Sequence, residues 1–590
     1  MKTKSNIYNV KLFQRLIGFV NNHKLIFLFS LISVLGLSVF GALRPLILQK
    51  IVDENLTQFT PDNFLTYIVI MLILLTLEVI SNYSFIYNAG LLGQSIVYDI
   101  RIRLFEKIQN FRVEYFNKSS VGVLITRAVS DMERIADIFG QGLFMIISDL
   151  MKMLFVSIVM MTMNLKLSFI VFISLPFILL ATKIFQKYMK SAFDEVRSEV
   201  ANLNSFVQER ISGMKVVKQF AREMDEFDSF KKINERHKKA WLKTVWYNSI
   251  FFPVAEIFSS LTLALVVWYG GMSAILENSS SVGQLTAFIM MIPMLFRPLN
   301  QIANKFNVLL MGMVAAERVF KILDTNSIIA NSGKFDASSL KGQINYKNVL
   351  FSYDQQKIVI DNFNLSIKPG STNAIVGATG SGKSTLIKLL NRFYDCQSGS
   401  ILIDGVDIKE YNLQSLRKNI GFVSQEIHLF SDTIYNNITL FNKNISFTEV
   451  ENAAKQIGLH EFISSLPNGY NYNVLERGVG LSTGQRQLIS FLRVYLKNPK
   501  ILILDEATSS IDTLSEKLIQ KAIKKITENR TSIIIAHRLS TIINSDNIVV
   551  MSNGKLIEMG NHNELLKNNN GSYSKLYKTQ LKKEKTKTLV

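Results

Sequence analysis

Residues 373–384 read Asn-Ala-Ile-Val-Gly-Ala-Thr-Gly-Ser-Gly-Lys-Ser, and the folding of this stretch decides the second half of the chain. Asn373-Ala-Ile-Val376 is continuous and apolar, as a strand buried on both faces is. Gly377, Ala378, Thr379, Gly380, Ser381, Gly382, Lys383 and Ser384 follow, and Thr385 opens a helical pattern that runs to Asn391. The spacing is G-x-x-x-x-G-K-[ST] in the strand–loop–helix context that the motif requires. Its glycines let successive backbone N–H groups turn inward around phosphate, and the helix N-terminus adds its positive end. Lys383 is placed to reach the β- and γ-phosphates of a nucleotide, and the Ser384 hydroxyl to bind Mg²⁺. A chance glycine-rich turn would leave the Lys-Ser pair and both flanking elements unexplained.

Outward from this loop the same pattern repeats. Ile501-Leu-Ile-Leu504 and Ser532-Ile-Ile-Ile535 are further apolar runs, and from Ile344 onward such runs alternate with helical patterns. That alternation predicts an α/β domain on a largely parallel sheet. Asp505, at a strand tip, can hold the Mg²⁺ shell, and Glu506, one residue on, can poise an attacking water as a base. An acidic pair at a helix N-terminus would account for one of them, not for both at a strand end. His537 sits just past another strand and reads as a γ-phosphate sensor; alone it would read as a surface histidine.

The first half has a different solvent. The 590 residues are 48% hydrophobic and only 19% charged, against about 25% charged in soluble domains. A single cysteine, Cys396, excludes a disulfide framework and any multi-cysteine metal site. Leu25–Leu43 is nineteen residues without a charge, bounded by Lys24 and Arg44, and about 20 helical residues cross the hydrocarbon of a bilayer. Five more stretches read the same way: 64–88, 141–163, 167–182, 250–276 and 281–304. The connections 89–140 and 183–249 hold seven and fourteen Lys and Arg, whereas the outer ones are poor in them, with Arg44 and Lys50 counted on the first. Both long connections and both termini are therefore expected on the cytoplasmic side. The net charge of +20 is mostly this orientation signal, and nucleic-acid binding is not expected. Within the two long connections, Ile96–Phe116 and Phe193–Val217 contain almost no Gly and no Pro, with apolar residues at helical spacing as in Ile102, Phe105 and Ile108, so both connections read as helical hairpins. Polar turns are expected at Asn117–Gly122 and Glu223–Asp228.

On these residues the chain resembles the ATP-binding-cassette transporters. Leu481-Ser482-Thr483-Gly484-Gln485 is similar to their signature sequence, which in many members has Gly at the place of Thr483. Gln425 resembles their Q-loop glutamine, a Mg²⁺ and water ligand, and Tyr353 the aromatic that stacks on adenine. Ser509-Ser-Ile-Asp512 resembles the D-loop, His537 the switch histidine, and Glu476-Arg-Gly478 the exporter X-loop, here preceded by Leu475 where Gly is frequent. Pro45-Leu-Ile-Leu-Gln-Lys-Ile-Val-Asp53 also looks like the exporter subfamily. The resemblance implies a membrane α-helical bundle of six transmembrane helices followed by an α/β P-loop nucleotide-binding domain. Together with the polar, aperiodic stretch Asn326–Gly342, which marks a linker, it divides the chain into a membrane domain at 1–324, the linker at 325–341, the cassette at 342–580 and a basic tail at 581–590. It implies ATP with Mg²⁺ as cofactor, a bacterial cytoplasmic (inner) membrane, and export or flipping of a hydrophobic or amphiphilic substrate such as a lipid or drug. No peptidase domain is expected before the first span. In the family the signature of one cassette completes the ATP site of another, so Ser482 to Gln485 would act in trans. A second half-transporter is implied, as a homodimer or as the competent half of a heterodimer. An ATP-gated channel or regulator is disfavoured because Glu506 is kept.

Charges inside the spans need a reason. Glu78, Asp149, Lys152 and Arg297 lie deep in the apolar stretches and are expected to face a cavity or a partner, not lipid. Asp149 and Lys152, three apart, could neutralise each other on one helical face. Glu78 and Arg297 could pair with each other or with that duo, or bind a charged head group.

Overall fold

Lipid offers a backbone no water to bond, so each apolar stretch must satisfy its amides within itself. The computed structural model, which describes residues 10–57, 61–276, 281–329, 331, 333–354, 356–505, 513–535 and 542–588, does so with long helices. They are α1 (Val10–Val20), α2 (Lys24–Thr57), α3 (Pro61–Gln109), α4 (Val113–Lys118), α5 (Val121–Ala128) and α6 (Ser130–Asp137). A π-helical turn, Ile138–Leu143, leads to α7 (Phe144–Met163), α8 (Leu165–Ser212), α9 (Met214–Gln219), α10 (Glu223–Leu276) and α11 (Val282–Leu323). Among the described residues, six segments are long and apolar enough to cross a membrane. The 49 residues of α3 span about 74 Å at about 1.5 Å per residue, more than twice the hydrocarbon thickness.

Two units divide the chain: Met1–Gln109 with Ser119–Asn326, and Asn110–Lys118 with Ser327–Val590. In the first, α11 is central. Its Phe288, Met291, Ile292 and Leu295 are buried against Val156 and Met160 of α7, Val171 and Ile178 of α8, and Val266 of α10. Leu28, Phe29 and Ile32 of α2 and Leu72, Ile73 and Ile80 of α3 instead point outward, the arrangement for a lipid solvent. The Pro45–Asp53 motif has a structural role at its end. Asp53 accepts from the Ser281 hydroxyl (2.7 Å) and from Gly283 N (2.8 Å), which holds the first turn of α11.

The first hairpin turn has its break within the expected Asn117–Gly122, whereas the second is displaced. The first is a short helix, α4, flanked by breaks at 110–112 and 119–120. The second lies at Gly213–Arg222 around α9, while Glu223 to Asp228 form the opening of α10. Their charges misled the loop reading: Glu223, Asp225 and Glu226 occupy the first helical turn, where the positive end of the helix favours carboxylates. Glu226 also pairs with Arg210, and Glu223 with Lys218.

Among its described residues the second unit holds ten strands: β1 (Ile344–Ser352), β2 (Ile358–Ile367), β3 (Thr372–Gly377), β4 (Ser398–Ile403), β5 (Val406–Asp407), β6 (Ile420–Val423), β7 (Ile501–Asp505), β8 (Thr531–Ile535), β9 (Asn547–Ser552) and β10 (Lys555–Gly560). They form a six-stranded sheet, β10-β9-β3-β8-β7-β6, and a four-stranded sheet, β2-β1-β4-β5. The larger is parallel from β9 to β6. The smaller is antiparallel throughout, a second sheet that the alternation with helices did not announce. The continuous apolar runs have their predicted cause. Ala374 and Val376, Leu502 and Leu504, and Ile534 enter one core; Ile375, Ile501, Ile503, Ile533 and Ile535 enter the other.

Candidate functional site

β3, β8, β7 and β6 lie side by side and parallel, so their C-terminal ends share one edge of the sheet. The crevice beyond such ends is where α/β sheets hold ligands. Residues 377–382 leave β3, Asp505 ends β7, and Gln425 stands just past β6. Two strand spacings, roughly 10 Å, separate the β3 and β7 ends, within reach of one bound triphosphate and its metal. Glu506, His537 and the stretch Ser509–Asp512 lie outside the described residues. The strands that precede Glu506 and His537, β7 and β8, end at this same edge.

The loop after β3 needs its glycines. Gly382 has φ +101°, and a Cβ there would stand 2.7 Å from Ile360 Cδ1. Ser381 N donates to Ala378 O at 3.1 Å, and Ser381 O accepts from Gly554 N at 3.1 Å. The buried Lys383 opens helix α12 (Lys383–Leu390), and its Nζ donates to Gly377 O (2.8 Å) and Ala378 O (3.0 Å). The ammonium is thereby pinned over its own loop, beside the half-buried Ser384 and the buried Thr385. This arrangement can neutralise a polyphosphate. Ser384 and Asp505 supply hard oxygen atoms, and no group of three His, Cys, Asp or Glu suited to a metal exists among the described residues. That donor set fits Mg²⁺, which takes one or two protein oxygens plus phosphates, not a cage.

Tyr353 leaves β1 and shares a hydrogen bond with Thr385 Oγ1 (3.1 Å). Its ring meets Tyr394 edge-on at 5.1 Å and Phe351 at 4.9 Å. Burial pushes the Tyr353 phenol above its ordinary value, with Thr385 opposing, so it stays neutral near pH 7. One link here was not visible in the sequence. Asn117, on α4, donates from Nδ2 to the Tyr394 hydroxyl at 2.9 Å. Arg112 donates to Ser327 O from its backbone and to Ile328 O from Nε, which anchors the same segment.

Ser482 caps the helix Thr483–Lys497: its Oγ accepts from Gln485 N (3.2 Å), and Gln485 Oε1 accepts from Ser482 N (2.9 Å). Gly484 is buried, whereas Ser482 and Thr483 are exposed at the start of the helix. The added Thr483 hydroxyl is taken up by Arg486 Nη2 at 3.1 Å. Leu475 has φ +59° and ψ −176°, a region that glycine adopts far more readily than leucine. This is the physical meaning of the glycine common there in the resembling family.

In the helical unit the four candidate charges, Glu78, Asp149, Lys152 and Arg297, line one cavity of about 490 Å³. Their pairing differs from expectation. Arg44 Nη1 bonds Glu78 Oε2 at 2.8 Å, and Lys305 Nζ bonds Asp149 Oδ2 at 2.5 Å. Glu78 is therefore not held by Arg297, nor Asp149 by Lys152. Arg44 lies inside α2, not on an outer connection. Both true partners fall just past the span limits read from the sequence, where Arg44 and Lys305 looked like flanking charge. The uninterrupted Pro45-Leu-Ile-Leu run was the available signal that α2 continues.

Comparison with known proteins adds family and relatives. Residues 26–299 match the family model described as ABC transporter transmembrane region, and residues 360–509 match that described as ABC transporter. The chain is 35% identical to an ATP-dependent lipid A-core flippase of Pseudoalteromonas translucida (strain TAC 125), over 97% of this chain and 98% of that one. It is also 35% identical to an uncharacterised ABC transporter ATP-binding protein of Bacillus subtilis (strain 168), over 96% and 94%. A third relative, provisionally named a multidrug export ATP-binding/permease protein of the same strain, is 35% identical over 94% and 97%.

Proposed function

The chain belongs to the ABC transporter family, and from that premise we propose how its residues power export. It is an integral, multi-pass membrane protein that couples ATP hydrolysis to the export of an amphiphile. The observation that carries the reading is the union, in one chain, of six spanning segments and a P-loop whose lysine is pinned over its phosphate cradle.

In the proposed cycle ATP binds with its base on Tyr353 and its phosphates along 377–385. Ser384 and Asp505 would hold Mg²⁺, which would screen the charge that develops on the transferred phosphoryl group. Gln425 orients water, Glu506 takes its proton, and Lys383 and His537 stabilise the transition state. Ser482, Thr483, Gly484 and Gln485 of a second chain close the site, so the working unit is a dimer, most simply two copies of this chain. ATP binding draws the cassettes together, α4 and α9 pass the motion to the spans, and hydrolysis resets the pair. The cassettes and both termini face the cytoplasm of a bacterial inner membrane. This orientation rests on the Lys and Arg of the two long connections.

The test is reconstitution. Proteoliposomes of the purified chain should hydrolyse ATP and move a fluorescent amphiphile, and both activities should vanish with Lys383→Ala. ATP hydrolysis with no movement of any amphiphile in a broad panel would overturn export.

A further inference from the structure

Five charged side chains, Arg44, Glu78, Asp149, Lys152 and Arg297, line the 490 Å³ cavity of the helical unit. Their charges do not cancel. Glu78 is neutralised by Arg44, and Asp149 by Lys305. Lys152 and Arg297 have no ion pair among the described residues, so the lining keeps two positive charges. Arg44 Nε, shielded from solvent, has no hydrogen-bond partner among the described residues. Unneutralised cations within spanning segments are costly and persist where they serve a site.

Apart from Gln301, the rest of the lining is apolar. Pro45, Met290, Pro293, Met294 and Pro298 form the wall beside the charges. A lining that joins unpaired cations to apolar side chains suits a molecule with an anionic head and a hydrocarbon tail. The volume lies within the range of small-molecule sites, about 300–1,000 Å³, and holds a head group with some water. Arg297 offers a planar fork that can grip a phosphate or carboxylate in two places, and Lys152 a point charge.

Resting on the export reading, we propose that this cavity selects amphiphiles with an anionic phosphate or carboxylate head, which Lys152 and Arg297 bind directly. The nearest competing account is a carboxylate supplied by another helix. Glu256 of α10 has no ion pair among the described residues and lines a separate groove with Pro253 and Ser260, so it is the group to check.

The experiment uses the full chain in proteoliposomes and four probes: a dodecyl phosphate, a zwitterionic dodecyl phosphocholine, a dodecyl trimethylammonium and inorganic phosphate. The dodecyl phosphate should stimulate ATPase and be transported in preference to the other two amphiphiles. Its half-saturating concentration should rise about tenfold or more in Lys152→Gln and in Arg297→Gln, the loss of one charge-assisted hydrogen bond. Lys152→Arg and Arg297→Lys should recover most of that loss. Equal or stronger transport of the trimethylammonium compound overturns the head-group claim while leaving export intact. Inorganic phosphate acting as well as the dodecyl phosphate overturns the amphiphile claim. Poor folding of Lys152→Gln or Arg297→Gln that Glu256→Gln repairs assigns the cations to a structural pair and removes the proposal.

Discussion

Lys383 shows how a single residue can be legible in sequence and still gain meaning from coordinates. The motif predicts its charge, and the two carbonyl bonds at 2.8 and 3.0 Å place that charge over the loop. Lys383→Ala should therefore weaken ATP affinity as well as turnover, with membrane insertion unchanged; intact affinity in a nucleotide-binding assay would remove the loop from the site. Glu506 rests on sequence and on the end of β7. If it takes a proton from water, Glu506→Gln should retain ATP and slow turnover roughly 10²–10⁴-fold, measured as phosphate release in detergent; turnover near that of the parent would disprove that role. Leu475 carries a different kind of information. Held at φ +59° and ψ −176°, it stores strain on the order of 1–3 kcal/mol. Leu475→Gly should raise the thermal midpoint of the full chain in detergent, and a lower midpoint would show that the exposed side chain contributes more than the strain costs.

Among the elements, helices α2, α3, α7 and α11 supply the cavity lining. A lone charge at mid-bilayer costs at least about 2.5–3.5 kcal/mol on insertion scales, and breaking a buried pair leaves such a charge behind. Arg44→Met and Glu78→Met should each lower the yield of folded protein, and the double variant should restore it. Additive losses, read as monodisperse protein after purification, would show that the 2.8 Å contact carries little. The short helix α4 is the other element with a specific consequence. Tyr394→Phe keeps the ring against Tyr353 and removes the hydroxyl that Asn117 binds. ATP affinity should hold while amphiphile-stimulated turnover falls, because the link from nucleotide platform to α4 is cut. Unchanged stimulation would mean that the motion travels by another contact.

For the whole molecule the decisive question is where the second half of each ATP site comes from. The hydrogen bonds of Ser482, Thr483 and Gln485 are local to their own helix start and its Arg486. A dimer with sites shared between chains makes a sharp forecast. A Lys383→Ala chain and a Ser482→Arg chain should each be inactive alone. Coexpressed with separate tags and purified as mixed dimers, they should regain ATPase, since one of the two composite sites is then intact. No recovery in mixed dimers would place the signature in the same site as its own P-loop.

The sequence by itself determined the P-loop, the strand tips around it and the count of spans, for two physical reasons. Phosphate cradles are made by contiguous backbone, so glycine spacing at 377–382 reports them directly. Lipid forces each span to be apolar over its own length, so Leu25–Leu43 declares itself without reference to any neighbour. Polar residues within helices were harder to read. Glu223 to Asp228 looked like a turn because the carboxylates that favour a helix start also favour loops. Only the tertiary structure decided which charges meet. Arg44 reaches Glu78 across 34 positions and Lys305 reaches Asp149 across 156, whereas helical spacing had offered Lys152, three residues away, as the partner. It likewise decided that Asp53 caps α11 and that Asn110–Lys118 groups with the cassette. These are contacts between helix faces, and a face is defined by what packs against it, which residue spacing along one helix does not encode.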